Sequence, residues 1–278
     1  MKRSSAKKRQ SKSRSPSKAQ TRLRAGGRNV SELQLYAIPG MPEIRKGEDL
    51  AKVIVGAAAK AGLGFEEGDI LVVAQKIVSK AEGAVVSLAT VEPSEKALTL
   101  AAELKKDARA IEVILRESRR VLRSERVLIT ETKHGFVCAN AGVDHSNVPG
   151  DDMVTVLPRD PDGSAEKLAR ELSKKAGKRI AVIISDTFGR PWRLGLTNVA
   201  IGAAGLPVLL DLRGTRDREG KPLTGTVLAV ADELAAAAGL LMGKSDGTPA
   251  VIIRGYSFKA ASEKAASIIR PASEDLFR

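Results

Sequence analysis

The chain has 278 residues, 43% of them hydrophobic and 28% charged. This excludes a wholly disordered protein and leaves material for a sizeable core in one large domain or two small ones. Aromatic residues make up only 3%, which argues against aromatic stacking platforms and for a core of Ala, Val, Leu and Ile. The net charge of +13 is unevenly spread: residues 1–29 hold eleven Lys or Arg and no Asp or Glu, leaving 35 basic and 33 acidic residues elsewhere. A nearly neutral body therefore follows a basic tail. The single cysteine, Cys138, excludes an intramolecular disulfide and a CxxC zinc site. It fits a reducing compartment, and a cytoplasmic location is expected. No run approaches the roughly 18 apolar residues of a membrane helix. No apolar h-region follows the basic start, so no secretory signal is expected.

Residues 1–29 are rich in Lys, Arg and Ser and have no apolar period, so they are expected to be disordered. Two roles fit them: a solvated extension, or an arm for nucleic acid, ribosome or acidic lipid. The body, 30–278, opens with a strand over 33–38 that Pro39-Gly40 closes. Residues 48–61 have helical apolar spacing, with Gly62 as a stop signal. Residues 69–78 open as a buried strand, and Gln75, Lys76, Ser79 and Lys80 fall at its end. Helices are expected over 94–106 and 107–120, capped by Ser94 and Asp107. Strands over 127–130 and 136–139 flank a turn at Lys133-His134-Gly135. After Pro149-Gly150, Ser164 caps a helix to Ala176, and Gly177 ends it. Residues 179–185 form a buried strand and 207–212 another. An Ala-rich helix spans 227–242, a strand 250–253 and a closing helix 260–269. The mixture lacks strict βαβ alternation, which gives an α+β (mixed α/β) body.

The segment from Gly239 to Ser245 looks like a phosphate loop but is not one. It has three residues between its glycines where four are needed, and it ends a helix instead of opening one. Its glycines still leave backbone that can approach a ligand closely. The loop from Asn140 to Asn147 carries a carboxylate, two amides and a hydroxyl. These are hard oxygen donors suited to Mg²⁺ or Mn²⁺, and they are equally the residues of a hydrogen-bonded turn. The segment Ser185-Asp186-Thr187-Phe188-Gly189-Arg190 and its sequel to Arg193 sit at the carboxyl end of a buried strand, where open sheets place ligands. Asp186 can hold a divalent ion, and Arg190 and Arg193 can hold phosphate or carboxylate oxygens; a capped turn with surface arginines is the other reading. His134 and His145 lack ligand spacing and read as hydrogen-bonded loop residues. Cys138, inside an apolar strand, reads as a buried structural thiol.

Taken together, these segments resemble the coenzyme F420:L-glutamate ligase family, the GTP-dependent γ-glutamyl ligases of deazaflavin cofactor biosynthesis. The matching pieces are Pro39-Gly40-Met41-Pro42, the segment 70–80, and the run from His134 to Asp144. Further pieces are Asp162-Gly163-Ser164-Ala165, the segment 185–190, Ala231-Asp232-Glu233, Leu241-Met242-Gly243 and the end from Arg270-Pro271 to Arg278. The resemblance covers about 31–278 and leaves the basic tail outside.

The resemblance implies a mixed α/β fold of two intimately associated subdomains, an intertwined homodimer, and nucleotide binding without a P-loop. Its substrates would be the deazaflavin F420 precursor, L-glutamate and GTP. The cations would be Mg²⁺ or Mn²⁺, with K⁺ as a further one. Asp144 and Asp186 would hold one metal ion and Thr187 a second, with Arg190 beside the reacting groups. Gly40, Met41, Pro42, Glu43, Gln75, Lys76, Lys80 and Asn147 would contact GTP. Met242, Gly243, Lys244, Ser245, Asp246 and Gly247 would close over it. Lys244 departs from an acidic residue that some members use as a second-metal ligand. Two other readings stand beside this one: a γ-glutamyl ligase for a different acid, and a basic-tailed nucleic-acid or ribosome-associated binding protein.

Overall fold

The computed structural model describes residues 32–146, 150, 152–244 and 246–275. The basic tail, Asn147 and Ser245 lie outside the described residues.

The chain enters through β1 (Gln34–Ala37) and passes the Pro39-Gly40 turn to α1 (Leu50–Lys60), where the Asp49 carboxylate accepts the Lys52 N–H at 2.8 Å. Next come β2 (Ile70–Ala74) and α2 (Gln75–Glu82). The segment 75–80 is therefore a helix and not the end of the preceding strand. Ile77, Val78 and Ala81 recur on one face and pack into the core, a spacing a strand would split between two faces. After β3 (Val85–Ser87) come α3 (Glu95–Leu104) and α4 (Ala108–Arg116), capped by Ser94 and Asp107 as expected.

The second of these helices stops short of Arg120. The Ser118 hydroxyl takes the Ile114 carbonyl at 2.6 Å, and the chain leaves as β4 (Ser118–Arg123). Arg120 then meets Glu131 at 2.8 Å across to β5 (Ile129–Thr132), which pairs in turn with β6 (Val137–Ala139). β7 (Met153–Thr155) pairs with β3. The cap of α5 (Pro161–Ala176) is Asp160, not Ser164: its carboxylate accepts the Gly163 N–H at 3.0 Å, and Pro161 occupies the first turn, where its missing N–H costs nothing.

The largest departure follows. Residues 185–190, expected as a loop after a short strand, continue β8 (Ala181–Arg190), which folds back through Pro191-Trp192 into β9 (Arg193–Ala204). The strand expected over 207–212 shrinks to β10 (Leu210–Asp211), paired with β11 (Val227–Leu228), so the Ala-rich helix α6 (Val230–Met242) starts later than expected. β12 (Ala250–Arg254) completes the main sheet. The closing helix expected over 260–269 is only a 3-10 turn at Ala265–Ile268. Its backbone donors go elsewhere: Ala265 and Ala266 N–H bond to the buried Asp162 carboxylate at 2.8 and 3.3 Å.

The main sheet has the order β1-β12-β2-β8-β9, parallel only at β2–β8. Its two faces are sorted by the period of the strand. Leu71, Val73, Val182, Ile184 and Ile252 point to the layer of α1 and α5. Ile70, Val72, Ile183, Val251 and Ile253 point to α6. A separate apolar cluster holds α3 and α4 against Leu128, Val143 and Val154. The fold is mixed α+β. Among the described residues, no helix is long and apolar enough to cross a membrane.

Candidate active site

The parallel pairing of β2 with β8 sets Ala74 opposite Ser185. The first turn of α2 and the Asp186-Thr187 pair therefore emerge side by side at the carboxyl ends of adjacent strands, the place where such sheets open a crevice. A cavity of about 360 Å³ lies there. Five segments wall it: Met41, Pro42 and Glu43 after β1; Gln75, Lys76 and Lys80 on α2; Asp144 from the loop after β6; Asp186 and Thr187 on β8; and Met242, Gly243, Lys244 and Gly247 after α6. Gly40 and Asp246 adjoin the wall without forming it.

Arg190 is not part of this wall. It lies near the far end of the β8–β9 hairpin, where its guanidinium donates to the Leu194 carbonyl at 3.0 Å. Because 185–190 is a strand and not a loop, each further residue carries the chain away from the cavity, and Arg190 ends beyond the reach expected of it. Arg193 pairs with it in register at the same tip. Asn198 escaped the sequence reading. It faces the cavity because β9 returns alongside β8 with Asn198 opposite Thr187, and only the position of the Pro191-Trp192 turn could have revealed that register.

The charges in the cavity are coupled. Asp144 is held by the Lys76 ammonium at 2.7 Å and by the Ser146 N–H at 2.7 Å. Burial alone would raise its carboxyl, but Lys76 and Ser146 outweigh that and hold it below the usual carboxylate range. Asp186 goes the other way, pushed up to about 6 by burial and the nearby Asp144 charge against the opposing Thr187 N–H bond. Lys80 forms an ion pair with Glu43. Thr187 donates its hydroxyl to Asn198 Oδ1 at 3.0 Å and accepts from the Lys244 ammonium at 2.8 Å.

Two features mark the α2 end as a place for anions. Its N-cap, Ala74, supplies no side-chain acceptor, so the first-turn N–H groups open on the cavity. Gln75 is buried, its Oε1 accepts from the Ser79 hydroxyl at 2.8 Å, and its Nε2 has no partner among the described residues. A buried donor left open in this way costs stability until an acceptor arrives.

Among the described residues no cluster of three or more His, Cys, Asp or Glu can cage a metal ion. The two carboxylates Asp144 and Asp186 suit a cation of the magnesium type, which keeps water and takes one or two carboxylates plus substrate phosphates. Such an ion would also offset the burial and the nearby Asp144 charge that raise Asp186. The cavity is thus chemically suited to a polyphosphate held together with a divalent cation. Cys138 takes no part: burial, helped by the Asp186 charge, pushes its thiol up to about 12, and it remains the structural thiol expected. His134 is likewise a loop residue, its Nε2 lying 3.1 Å from the Arg159 carbonyl.

Comparison with known proteins identifies the family. Residues 40–255 match the family model described as F420-0:Gamma-glutamyl ligase. The chain is 48% identical over 250 residues to the coenzyme F420:L-glutamate ligase of Methanothermobacter thermautotrophicus, covering 88% of this chain and 99% of that one. It is 49% identical over 252 residues to the protein of the same name from Methanopyrus kandleri, covering 88% and 98%. A third, from Methanocaldococcus jannaschii, is 46% identical over 216 residues, covering 77% and 86%. The chain is a ligase enzyme, not a basic-tailed binding module alone. It belongs to the F420-0:gamma-glutamyl ligase family.

Proposed function

We propose that this chain joins L-glutamate to the deazaflavin coenzyme F420 precursor at the expense of GTP, through an acyl phosphate. The observation that carries the reading is the convergence of Asp144, Asp186 and the open first turn of α2 on one cavity. A carboxylate is a poor acyl donor and must be activated. An oxygen of the acceptor carboxylate bonds to the γ-phosphorus of GTP, the β–γ bridging bond breaks, and GDP leaves. The glutamate amine then bonds to the acyl carbon, inorganic phosphate leaves, and the amine gives up a proton as the amide forms. A second round on the γ-carboxylate of the product lengthens the chain by one more glutamate.

Phosphoryl transfer of this kind is mainly positioning and charge neutralisation. The α2 N–H groups and Gln75 Nε2 receive phosphate oxygens. Lys76 and Lys80, placed by Asp144 and Glu43, bring positive charge to the same oxygens. Asp144 and Asp186 would hold Mg²⁺ or Mn²⁺, which neutralises phosphate charge when bound; K⁺ is a further cation in this proposal. The segment from Met242 to Gly247 covers the nucleotide. A homodimer is also part of the reading. The hairpin tip supports it by exposing Trp192, Leu194 and Leu196 at 83%, 99% and 65%, an apolar edge that monomeric proteins seldom leave uncovered. A cytoplasmic location is a further part of the same reading.

The test is product analysis by mass spectrometry from GTP, glutamate and the deazaflavin precursor. Asp186→Asn should lower GDP formation and ligation together by at least about a hundredfold with the fold intact by circular dichroism. Full ligation by that variant would reject the site. A product formed only with another acid in place of the precursor would move the proposal to a γ-glutamyl ligase of different specificity.

A further inference from the structure

Thr187 has one hydroxyl hydrogen and two lone pairs to offer. The hydrogen goes to Asn198 Oδ1. The orientation of that amide is set from behind, because Asn198 Nδ2 donates to the Met242 sulfur at 3.6 Å. Gly239 keeps the arrangement close: a Cβ there would stand 3.0 Å from the Asn198 amide, which would have to give by a few tenths of an ångström. With the hydrogen committed, Thr187 meets its surroundings through oxygen lone pairs, and the Lys244 ammonium takes one at 2.8 Å.

The remaining oxygen donors are unevenly placed. Asp144 and Asp186 both line the cavity, and Glu43 is paired with Lys80. Among the described residues the carboxylates lining the cavity are Glu43, Asp144 and Asp186; Asp246 adjoins Gly243 but does not line it. A divalent ion at Thr187 would meet a neutral hydroxyl oxygen on which the Lys244 ammonium already sits. The site does not fit a second metal ion there.

We propose that Lys244 is a built-in cation: its ammonium occupies the Thr187 side of the cavity, so that each chain takes one divalent ion, between Asp144 and Asp186, and Lys244 itself meets the phosphate oxygens on its own side. This rests on the nucleotide-and-cation reading above. It assigns Thr187 to holding Lys244 in place of the second-metal role that the family resemblance implied.

The experiment is equilibrium dialysis of Mn²⁺ against the full-length chain saturated with GDP, corrected for Mn²⁺ carried by free GDP, together with electron paramagnetic resonance of the bound ion. The wild-type chain should bind one Mn²⁺, with a spectrum free of coupling between ions. Lys244→Glu, which replaces the ammonium with a ligand, should bind two and show the broadening of a close pair. Lys244→Met, which removes the charge without supplying oxygen, should stay at one. Circular dichroism melts confirm that each variant is folded. Two ions on the wild-type chain, or one on folded Lys244→Glu, would overturn the inference and leave the ligase reading standing. No ion on the wild-type chain would overturn both the inference and the cation reading beneath it.

Discussion

The Lys76 ammonium stands 2.7 Å from the Asp144 carboxylate, and so joins the first turn of α2 to the loop that follows β6. This contact, with the Ser146 N–H, holds the Asp144 carboxyl down against burial. Its folded carboxyl lies below the reference value of 3.8. The corresponding stability is present above the unfolded value and is lost as pH falls through the folded one. Replacing Lys76 with Met leaves Ser146 alone against burial, so the Asp144 carboxyl should move up, and the variant should lose part of this stabilisation at pH values where the wild type keeps it. Carbon-13 NMR titration of the Asp side chains reads the shift directly. An Asp144 value unchanged in the variant would remove Lys76 from the account.

Asp186 carries the opposite sign. Its folded carboxyl is raised to about 6, so the ionised form destabilises the ligand-free protein at neutral pH, and this penalty grows as pH rises from the unfolded value through 6. Asp186→Asn should therefore stabilise the ligand-free chain at pH 7.5 by up to about 3 kcal/mol while ligation falls by at least about a hundredfold. Differential scanning calorimetry in chelator measures it. A lower melting temperature for the variant would contradict the assignment of burial as the cause.

Asp162 is a structural counterpart, buried and accepting N–H groups from Ala203, Ala265 and Ala266 at 2.9, 2.8 and 3.3 Å. Asp162→Ala leaves these donors without an acceptor and should cost about 3–5 kcal/mol, from 1–3 kcal/mol for each stranded buried group. Asp162→Asn keeps acceptor oxygen and should cost less. Urea unfolding of the two variants gives the order, and equal losses would show that the carboxylate does not organise the turn at Ala265–Ile268.

The hairpin tip makes a separate prediction. Leu194 is 99% exposed, so Leu194→Asp should leave the melting temperature of an isolated chain unchanged within error. If the tip meets a second copy, the same substitution should shift the protein from dimer to monomer in light scattering after size-exclusion chromatography. A wild-type chain that runs as a monomer at every concentration would end the dimer reading.

The sequence is legible where the physics is local. Ser94 and Asp107 cap their helices because a short polar side chain meets the free N–H groups of its own first turn. Gly177 ends α5 with a left-handed backbone, as its lack of Cβ allows. The alternating burial of 70–73 and 181–184 follows from apolar runs long enough to fill both faces of a sheet. The same reasoning missed α2, whose helical spacing at Ile77, Val78 and Ala81 was present but hidden behind the strand before it. It chose Ser164 over Asp160 because both precede helical residues, and only the position of Pro161 separates them.

What the sequence determined by itself was the set of segments, their chemistry and, through their wording, the family. Asp144, Asp186, Gln75, Lys76 and Lys80 all stand out in the sequence by their chemistry. Only the tertiary structure decided which of them meet. The register that sets Ala74 opposite Ser185 and Thr187 opposite Asn198 brings together residues far apart along the chain. That register is chosen by packing on both faces of the sheet and by the turn at Pro191-Trp192, and no neighbouring residue encodes it. For the same reason Arg190, so suggestive on paper, ends at the tip of a hairpin, while Lys244 comes to rest on the hydroxyl of Thr187.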